Sequence, residues 1–291
     1  MTHTGYHDPK VLRRVQRATT LVLAELHRVC TQLGLEYAVY GGTAIGAVRH
    51  QGFIPWDDDA DVCMAREDYE RFLELAPAHL RPGFRLLDPR SVPGYPQTFA
   101  VLGMEGTEFV SQAARRRPFV MPLGVDIFPL DTVPSDSAAF RRQCRGTWLW
   151  GRLLFLRGTP DPSLTLPTPA RQAAVAIMHA VHWGLRALHV TPAALQRRWE
   201  RTARRFEGQE GPVLADHSTA NPAHWVVERS ELFPARVVPF EDIMVNLPRS
   251  YDAVLRRGYG DYMELPPPEQ RVNHQPFRIT FGPFETGDDP L

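Results

Sequence analysis

Four carboxylates fall within five positions of the segment GGTAIGAVRHQGFIPWDDDADVCM, residues 41–64, and apolar side chains flank them. If this acidic run continues into a strand, its side chains alternate, so Asp57, Asp59 and Asp61 share one face and Asp58 takes the other. Two unit charges about 6 Å apart repel by roughly 3 kcal/mol at an effective dielectric near 20. The run is therefore either a solvated loop of turn-forming aspartates or a site for a divalent cation, since Mg²⁺ prefers a few carboxylates together with phosphate oxygens.

A glycine pair lies 16 residues upstream of the acidic run, at the end of the strand-like sequence YAVYGG. Gly41 and Gly42 lack a Cβ, so their backbone N–H groups can approach a phosphate closely. Thr43 adds a hydroxyl, and the helix-like TAIGAVRH would begin at the bound anion. A glycine pair alone is commonly a simple turn. The order strand, Gly-Gly-Thr, short helix and Asp-x-Asp strand favours a metal and phosphate site.

Hydrophobic periodicity predicts the elements that must position these residues. Residues 9–33 are predicted to form a helix, and further helices are REDYERFLELAPAHL, SAAFRRQCRGTWLWGRLLFL, RQAAVAIMHAVHWGLRALHV and TPAALQRRWERTARRF. The predicted strands are DADVCM, FRLLD, TFAVLGM and GVDIFPLD, and RGTPDPSLTLPTPA is a predicted loop. We therefore expect an α/β front over residues 1–134, a mostly helical region over 135–230, and a C-terminal segment, 231–291, that packs back on the core.

The helix predicted over residues 171–190 is amphipathic. Its apolar stripe consists of Ala174, Ile177, Met178, Val181, Leu185 and Leu188. Its polar face carries His179, His182, Arg186 and His189. Three interpretations remain open: a helix packed on the core with a solvated polar face, a helix lying on a membrane surface, or a histidine metal site without a nearby carboxylate or cysteine partner.

Composition excludes several classes of protein. The 291 residues are 43% hydrophobic and 23% charged, as in globular proteins, and the zero net charge offers no basic surface for nucleic acid. Three cysteines without paired spacing argue against a disulfide framework and favour a reducing compartment. MTHTGYHDPKVLRRVQ lacks the apolar stretch of a signal peptide, and no long apolar run predicts a membrane span. We expect a cytoplasmic protein, with peripheral contact to the inner membrane face through residues 171–190.

The segment YGGTAIGAVRHQGFIPWDDDADV resembles the LicD family of the nucleotidyltransferase superfamily, which includes phosphorylcholine transferases and fukutin-type ribitol-phosphate transferases. AREDYERFL, GVDIFPLD and FEDIMVNLPRSYDAVLRRGYGDYMELPPPEQRVNH continue the resemblance, which covers residues from about 10 to 134 and 238 to 274. It implies an α+β fold with α/β-like character: a nucleotidyltransferase-type mixed sheet with an added helical region on the acceptor side.

The same resemblance implies roles for particular residues. Asp59 and Asp61 would ligate the metal, with Asp57 as a further carboxylate. Asp126 would be the third acid, ligating metal or accepting the proton of the acceptor hydroxyl; the alternative is a structural Asp in its strand. The expected phosphate contacts are Gly41, Gly42, Thr43 and Arg49. Candidate substrate contacts in the tail, where packing is the competing explanation, are Tyr259, Tyr262, Arg271 and His274.

The implied reaction is transfer of a phospho-alcohol, such as phosphocholine, from a CDP-linked donor to a hydroxyl of a glycan, a glycolipid or a small molecule, with Mg²⁺ or Mn²⁺ as cofactor. A nucleotidyltransferase that moves NMP from an NTP to a small molecule or protein would use the same Gly-Gly and Asp-x-Asp core. The C-terminal YGDYMELPP favours the first reaction. A non-catalytic nucleotide-binding relative ranks last, because every acidic position is intact.

Overall fold

The computed structural model describes residues 9–160, 168–209, 211–274 and 276–284 and has an α+β fold, which confirms the predicted class. Most of the predicted loop RGTPDPSLTLPTPA, like the first eight residues, lies outside the described part of the chain. The helices are α1 (Pro9–Leu33), α2 (Gly41–His50), α3 (Arg66–Leu75), α4 (Ser137–Gly158), α5 (Thr168–Ala187), α6 (Pro192–Ala203), α7 (Arg229–Leu232) and α8 (Tyr251–Tyr259). The strands are β1 (Ala38–Val39), β2 (Asp61–Ala65), β3 (Phe84–Leu87), β4 (Ala100–Met104), β5 (Glu108–Ser111), β6 (Gly124–Thr132), β7 (Val213–Asp216), β8 (Val226–Glu228), β9 (Arg236–Phe240), β10 (Ile243–Leu247) and β11 (Pro276–Thr280).

A seven-stranded mixed sheet forms the centre. Five of its strands follow the order β1, β2, β6, β4 and β3, and β7 pairs with β6 and with β8. β2 and β6 are parallel, and their register places Asp61 opposite Asp126. On its other side β6 pairs with β4 through residues 124–127 and with β7 through residues 130–132. The two acidic strands are therefore neighbours, although more than 60 residues separate them in the chain.

One face of this sheet is covered by α1, whose apolar positions recur at helical spacing and are fully buried at Val15, Val22, Leu26 and Val29. They join one cluster with sheet residues such as Val62 and Ile127. The opposite face carries a smaller apolar cluster that includes Cys63, Leu130 and Leu214. This second cluster takes residues from the middle and carboxyl ends of β2 and β6, whereas Asp61 and Asp126 lie nearer their amino ends.

The helical region packs through α4 and α6, where Trp199 is fully buried. Thr191 caps α6, since its side chain accepts a hydrogen bond from the Ala194 N–H, as the Thr-Pro sequence predicted. Asp136 caps α4 in the same way through the Ala138 N–H.

The packing of α5 departs in part from the interpretation in which its apolar stripe faces the core. Ile177 and Leu188 of that stripe are 65% and 77% exposed. His182, assigned to the polar face, is buried, and its Nδ1 donates a hydrogen bond to the Leu156 carbonyl at 2.7 Å. The helix contacts α4 rather than the main core, so a local interhelical hydrogen bond sets its rotation.

The C-terminal segment returns to the front of the chain. The β9–β10 hairpin packs on α1, and β11 pairs antiparallel with β5. No helix among the described residues is both long and apolar enough to cross a bilayer.

Candidate active site

The candidate active site is built on four aspartates at the amino ends of β2 and β6. Asp61 and Asp126 lie opposite each other in register, so their Cα atoms are about 4.8 Å apart. Asp57 and Asp59 belong to the turn before β2, in which the Asp57 N–H bonds to the Ile54 carbonyl, and their side chains are in hydrogen-bonding contact. The expected strand alternation does not extend to residues 57–60, yet the turn brings Asp57, Asp59 and Asp61 together.

The pKa values of these four carboxyls are all raised. Burial is the largest cause for each, and the neighbouring carboxylates add to it at Asp57, Asp61 and Asp126. The pKa of Asp57 rises to about 8 and that of Asp126 to about 7. The cluster therefore holds more negative charge than its surroundings stabilise near neutral pH.

Helix α2 begins beside these carboxylates. Its N-cap residue, Tyr40, makes no side-chain hydrogen bond to the first N–H groups of the helix. Gly41 has φ +54°, where a side chain would be strained, and a Cβ on Gly42 would lie 2.8 Å from Asp57 Oδ2. Glycine is thus required twice for the helix to start this close to the acidic cluster.

Thr43 is placed differently from the phosphate contact expected of it. Its hydroxyl oxygen accepts a hydrogen bond from the Asp61 N–H at 2.8 Å, and the residue is only 3% exposed. Thr43 therefore joins the start of α2 to the start of β2 and holds Asp61 in position.

A fifth carboxylate, Asp58, enters the site through His274, which lies 216 residues away in the sequence. Asp58 is buried; its Oδ1 accepts hydrogen bonds from His274 Nδ1 at 2.8 Å and from the His274 N–H at 3.2 Å. The hydrogen bond to Asp58 is the largest cause that raises the pKa of His274, to about 9. His274 Nδ1 is also 3.7 Å from Asp59 Oδ2, so the imidazolium lies between two carboxylates. Strand alternation had predicted Asp58 on the face opposite Asp57, Asp59 and Asp61.

The residues present fit a divalent cation. Asp58 Oδ2 is buried without a hydrogen-bond partner among the described residues. Ligand atoms of Asp58, Asp59 and His274 lie within 4.8 Å of one another. The oxygen-rich donor set beside them, with its raised pKa values, suits a hard cation such as Mg²⁺.

Arg117 is a functional candidate that sequence reasoning missed, because it is the last of three consecutive arginines. It lines a cavity of about 270 Å³ together with Asp58, Asp59, Asp126 and His274, which we call the carboxylate cavity. Arg117 Nε donates to Thr159 Oγ1 at 2.9 Å, and the guanidinium lies 4.9 Å above the Phe155 ring. Burial lowers the pKa of Arg117, and no carboxylate of the described residues is paired with it. A buried guanidinium facing this cavity can receive a phosphate oxygen.

The remaining predicted residues divide into two groups. Tyr259 lies in the site: its hydroxyl would be 3.4 Å from a Cβ on Gly41, and its ring packs on Trp225. Arg49, in the last turn of α2, donates to the Tyr262 carbonyl at 2.7 Å. Tyr262 donates through its hydroxyl to Asp252 at 2.9 Å, and Arg271 stacks on Trp56 and donates to the Pro266 carbonyl. Arg49 therefore fastens the tail to α2, Tyr262 joins it to α8, and Arg271 packs on the turn before β2.

Aromatic rings form a continuous row beside the acidic cluster, from Phe99 through Phe128, Tyr40 and Trp225 to Tyr259. Consecutive centroids are between 4.4 and 5.8 Å apart. Asp216 at the end of β7 is 2% exposed, and burial raises its pKa to about 7. Neither the row nor Asp216 could be assembled from the sequence, because the contacts join distant segments.

Acidic residues at the start of β2 and in the turn before it, a third acid in register on the parallel neighbour β6, and a helix that begins at two glycines lie together in this site. Residues 34–137, which contain all of these elements, match the family model described as the LicD/FKTN/FKRP nucleotidyltransferase domain. This part of the chain is therefore a LicD-type domain.

Two relatives show how far the similarity extends. The lipopolysaccharide cholinephosphotransferase LicD of Haemophilus influenzae is 27% identical over 269 residues, which cover 90% of this chain and 95% of that protein. An uncharacterized protein of Rickettsia typhi is 37% identical over 84 residues, 27% of each chain. Similarity to the first relative thus includes the helical region as well as the acidic site.

Proposed function

We propose that this chain is a metal-dependent LicD-type phosphotransferase that moves a phospho-alcohol, such as phosphocholine, from a CDP-linked donor to an acceptor hydroxyl. The observation that carries the proposal is the convergence of Asp57, Asp59, Asp61 and Asp126 beside the amino end of α2. Similarity along nearly the whole chain to a cholinephosphotransferase supports phosphocholine as the transferred group.

Asp59 and Asp61, with Asp57 and Asp126 beside them, would hold a Mg²⁺ or Mn²⁺ ion. When bound, such an ion neutralises charge on the transferred phosphoryl group and on the leaving nucleoside monophosphate. The raised pKa values of these carboxyls support this assignment, because they reflect negative charge that a cation would offset.

The protein's own groups supply positioning and proton transfer. Asp126 accepts the proton of the acceptor hydroxyl as its oxygen bonds to phosphorus, while the phosphorus–oxygen bond to CMP breaks in line. The N–H groups of Gly41 and Gly42 donate to phosphate oxygens from one side of the site. Arg117 donates to them from the wall of the carboxylate cavity.

The row of aromatic rings supports an alcohol with a quaternary ammonium group. Such cations are recognised by the faces of aromatic rings, and Tyr40, Trp225 and Tyr259 lie in succession next to Asp61. A choline headgroup held there would place its phosphate at the carboxylates.

A lipid-linked glycan is the acceptor class that the exposed face of α5 favours. Ile177, Trp183 and Leu188 are each at least 60% exposed, and Arg186 lies 5.7 Å from the Trp183 ring centroid. Exposed apolar and aromatic side chains beside a cationic one are typical of helices at a membrane surface. Co-sedimentation with anionic lipid vesicles tests this contact, and the Trp183→Ser variant should reduce binding; equal binding by wild type and variant would contradict it.

Thermal-shift binding with CDP-choline, CDP-ribitol, CDP-glycerol, CMP, CTP and ATP, with and without Mg²⁺, tests the function. The Asp59→Asn/Asp61→Asn double variant removes the acidic pair, and Asp261→Asn is the control because Asp261 is exposed and pairs with Arg256. A ligand at about 100 times its Kd stabilises the folded state by about 2.7 kcal/mol. We expect CDP-linked compounds to stabilise wild type and Asp261→Asn only with Mg²⁺, and the double variant not at all.

Release of CMP from the best CDP-alcohol, measured with glycan and simple hydroxyl acceptors, then follows the reaction itself. If only ATP or CTP stabilises the protein, the enzyme is an NMP transferase and the proposed donor is wrong. Metal binding without turnover of any donor would favour a non-catalytic relative.

A further inference from the structure

A second cavity, of about 190 Å³, lies where the sheet meets the helical region, and we call it the His217 cavity. Residues 96–99 before β4, residues 217–220 after β7, and helices α4 and α6 form its walls. Gln97 lines both this cavity and the carboxylate cavity, and Arg117 of the carboxylate cavity stacks on Phe155 of the His217 cavity. The two cavities are therefore adjacent.

Strand register fixes the position of the His217 cavity relative to Asp126. β4 pairs with β6 up to Ala100 opposite Ile127, and β7 pairs with it up to Asp216 opposite Leu130. The two wall segments, residues 96–99 and 217–220, therefore adjoin the sheet beside Phe128. The Phe128 ring centroid is 4.4 Å from that of Phe99. Phe128 is two residues beyond Asp126 on the same face of the strand, which corresponds to about 7 Å.

This cavity also lies on the opposite side of the site from the glycine turn. The β1 edge and the start of α2 are beyond β2, whereas β4 and β7 are beyond β6. In-line transfer requires the leaving group and the attacking oxygen on opposite sides of phosphorus. With the donor phosphates at Gly41 and Gly42, the acceptor approaches from the side of Asp126 and the His217 cavity.

His217 lines this cavity with a buried side chain. The residue is 1% exposed, and its Nε2 has no hydrogen-bond partner among the described residues. The Thr147 hydroxyl uses its proton on the Gln143 and Cys144 carbonyls, so its oxygen accepts from His217 Nδ1–H at 3.4 Å. Burial lowers the pKa of His217 to about 4, so the imidazole is neutral and Nε2 keeps its lone pair. A buried acceptor of this kind costs free energy until a donor reaches it.

The other walls indicate a neutral, single-ring ligand with several hydroxyl groups. Phe99, Trp148 and Phe155 provide apolar faces, and Gln97, Thr98, Ser218 and Thr219 provide side chains that both donate and accept. Among the described residues that line the cavity, Arg152 is the one charged residue, and it lies over the Trp148 ring. At about 190 Å³ the cavity is smaller than the roughly 300–1,000 Å³ of sites for drug-sized ligands, a size that suits a single ring.

We propose that the His217 cavity binds one saccharide ring of the acceptor, and that His217 Nε2 accepts a hydrogen bond from a ring hydroxyl other than the attacking one. His217 is then a specificity-determining residue for the acceptor. This inference rests on the proposed phosphotransferase function, which it deepens by giving the acceptor saccharide a binding place and a residue that selects it.

Steady-state CMP release with saturating CDP-choline and varied methyl hexopyranosides tests the role of His217. His217→Leu should raise the acceptor KM about ten- to hundredfold, with the donor KM within about twofold of wild type. His217→Gln keeps an acceptor oxygen and should recover most of that loss. His182→Gln is the matched control, since His182 is a second buried histidine of the helical region that does not line the cavity. A saccharide that lacks the bonded hydroxyl should raise the acceptor KM of wild type by the same factor and leave that of His217→Leu unchanged.

Quenching of tryptophan fluorescence measures saccharide binding without turnover. Methyl hexopyranosides should quench wild type, and Trp148→Phe should remove most of the signal. Quenching without CMP release would retain the saccharide site and reject the proposed reaction. An unchanged acceptor KM in His217→Leu, or a raised donor KM that identifies the cavity as a nucleobase site, would overturn the inference while the phosphotransferase function stands.

Discussion

Replacing Asp126 with asparagine should stabilise the metal-free protein while it abolishes turnover. Burial and the Asp59 charge raise the pKa of Asp126 from 3.8 to about 7. Between these two values the folded state retains a proton that the unfolded chain has released. Folding stability therefore falls as the pH rises through this window, and the full cost is present above pH 7.

The size of the pKa shift of Asp126 sets the expected gain in the free energy of unfolding. A rise from 3.8 to about 7, at about 1.36 kcal/mol per pKa unit, corresponds to on the order of 4 kcal/mol. Asp126 is only partly buried, so water in the carboxylate cavity screens part of that cost. We expect Asp126→Asn to raise the free energy of unfolding by about 1–3 kcal/mol at pH 8 and by a few tenths at pH 4.

Urea denaturation of wild type and variant in EDTA, at pH 4 and pH 8, measures this difference. Asp131→Asn is the matched control, because Asp131 is 1% exposed and forms a bidentate pair with Arg66 at 2.7 and 2.8 Å. Leaving that buried guanidinium unpaired should cost about 3–5 kcal/mol at pH 8. In the CMP-release assay Asp126→Asn should lose about a hundredfold or more in kcat. A variant that is less stable than wild type at pH 8 would refute the view that the acidic cluster carries uncompensated charge when no metal is bound.

Three further changes test other parts of the site. Gly42→Ala puts a Cβ 2.8 Å from Asp57 Oδ2; displacing this carboxylate should weaken Mg²⁺ binding about tenfold or more by calorimetry, and an unchanged affinity would remove Asp57 from the metal site. Arg117→Met should raise the donor KM about tenfold while the acceptor KM stays constant; a change confined to the acceptor would reassign Arg117. Asp216 is 2% exposed, and burial raises its pKa to about 7. In urea denaturation, Asp216→Asn should therefore stabilise the protein at pH 8 and not at pH 4. Equal effects at the two pH values would show that the Asp216 charge is already compensated.

Local patterns were sufficient for much of the fold. α1 spans the predicted residues 9–33, and α6 begins at the Thr191 cap with Pro192 at its first position. Each depends on contacts or caps within a few residues, which the order of side chains reveals. Helix α5 was predicted as a helix, but its periodicity left open which face is buried, and it could not reveal the His182 bond to α4.

The sequence by itself determined that Gly41, Gly42 and the acidic run would lie together, since a tight turn and a short helix connect them. Only the tertiary structure decided which distant groups complete the site: Asp126 joins through strand register, and His274 reaches Asp58 across 216 residues. Arg117 and His217 acquire their importance in the same way, since among the described residues Arg117 has no paired carboxylate and His217 Nε2 has no hydrogen-bond partner. Burial and long-range proximity set the free energy of a polar group, and neither is encoded in its immediate neighbours.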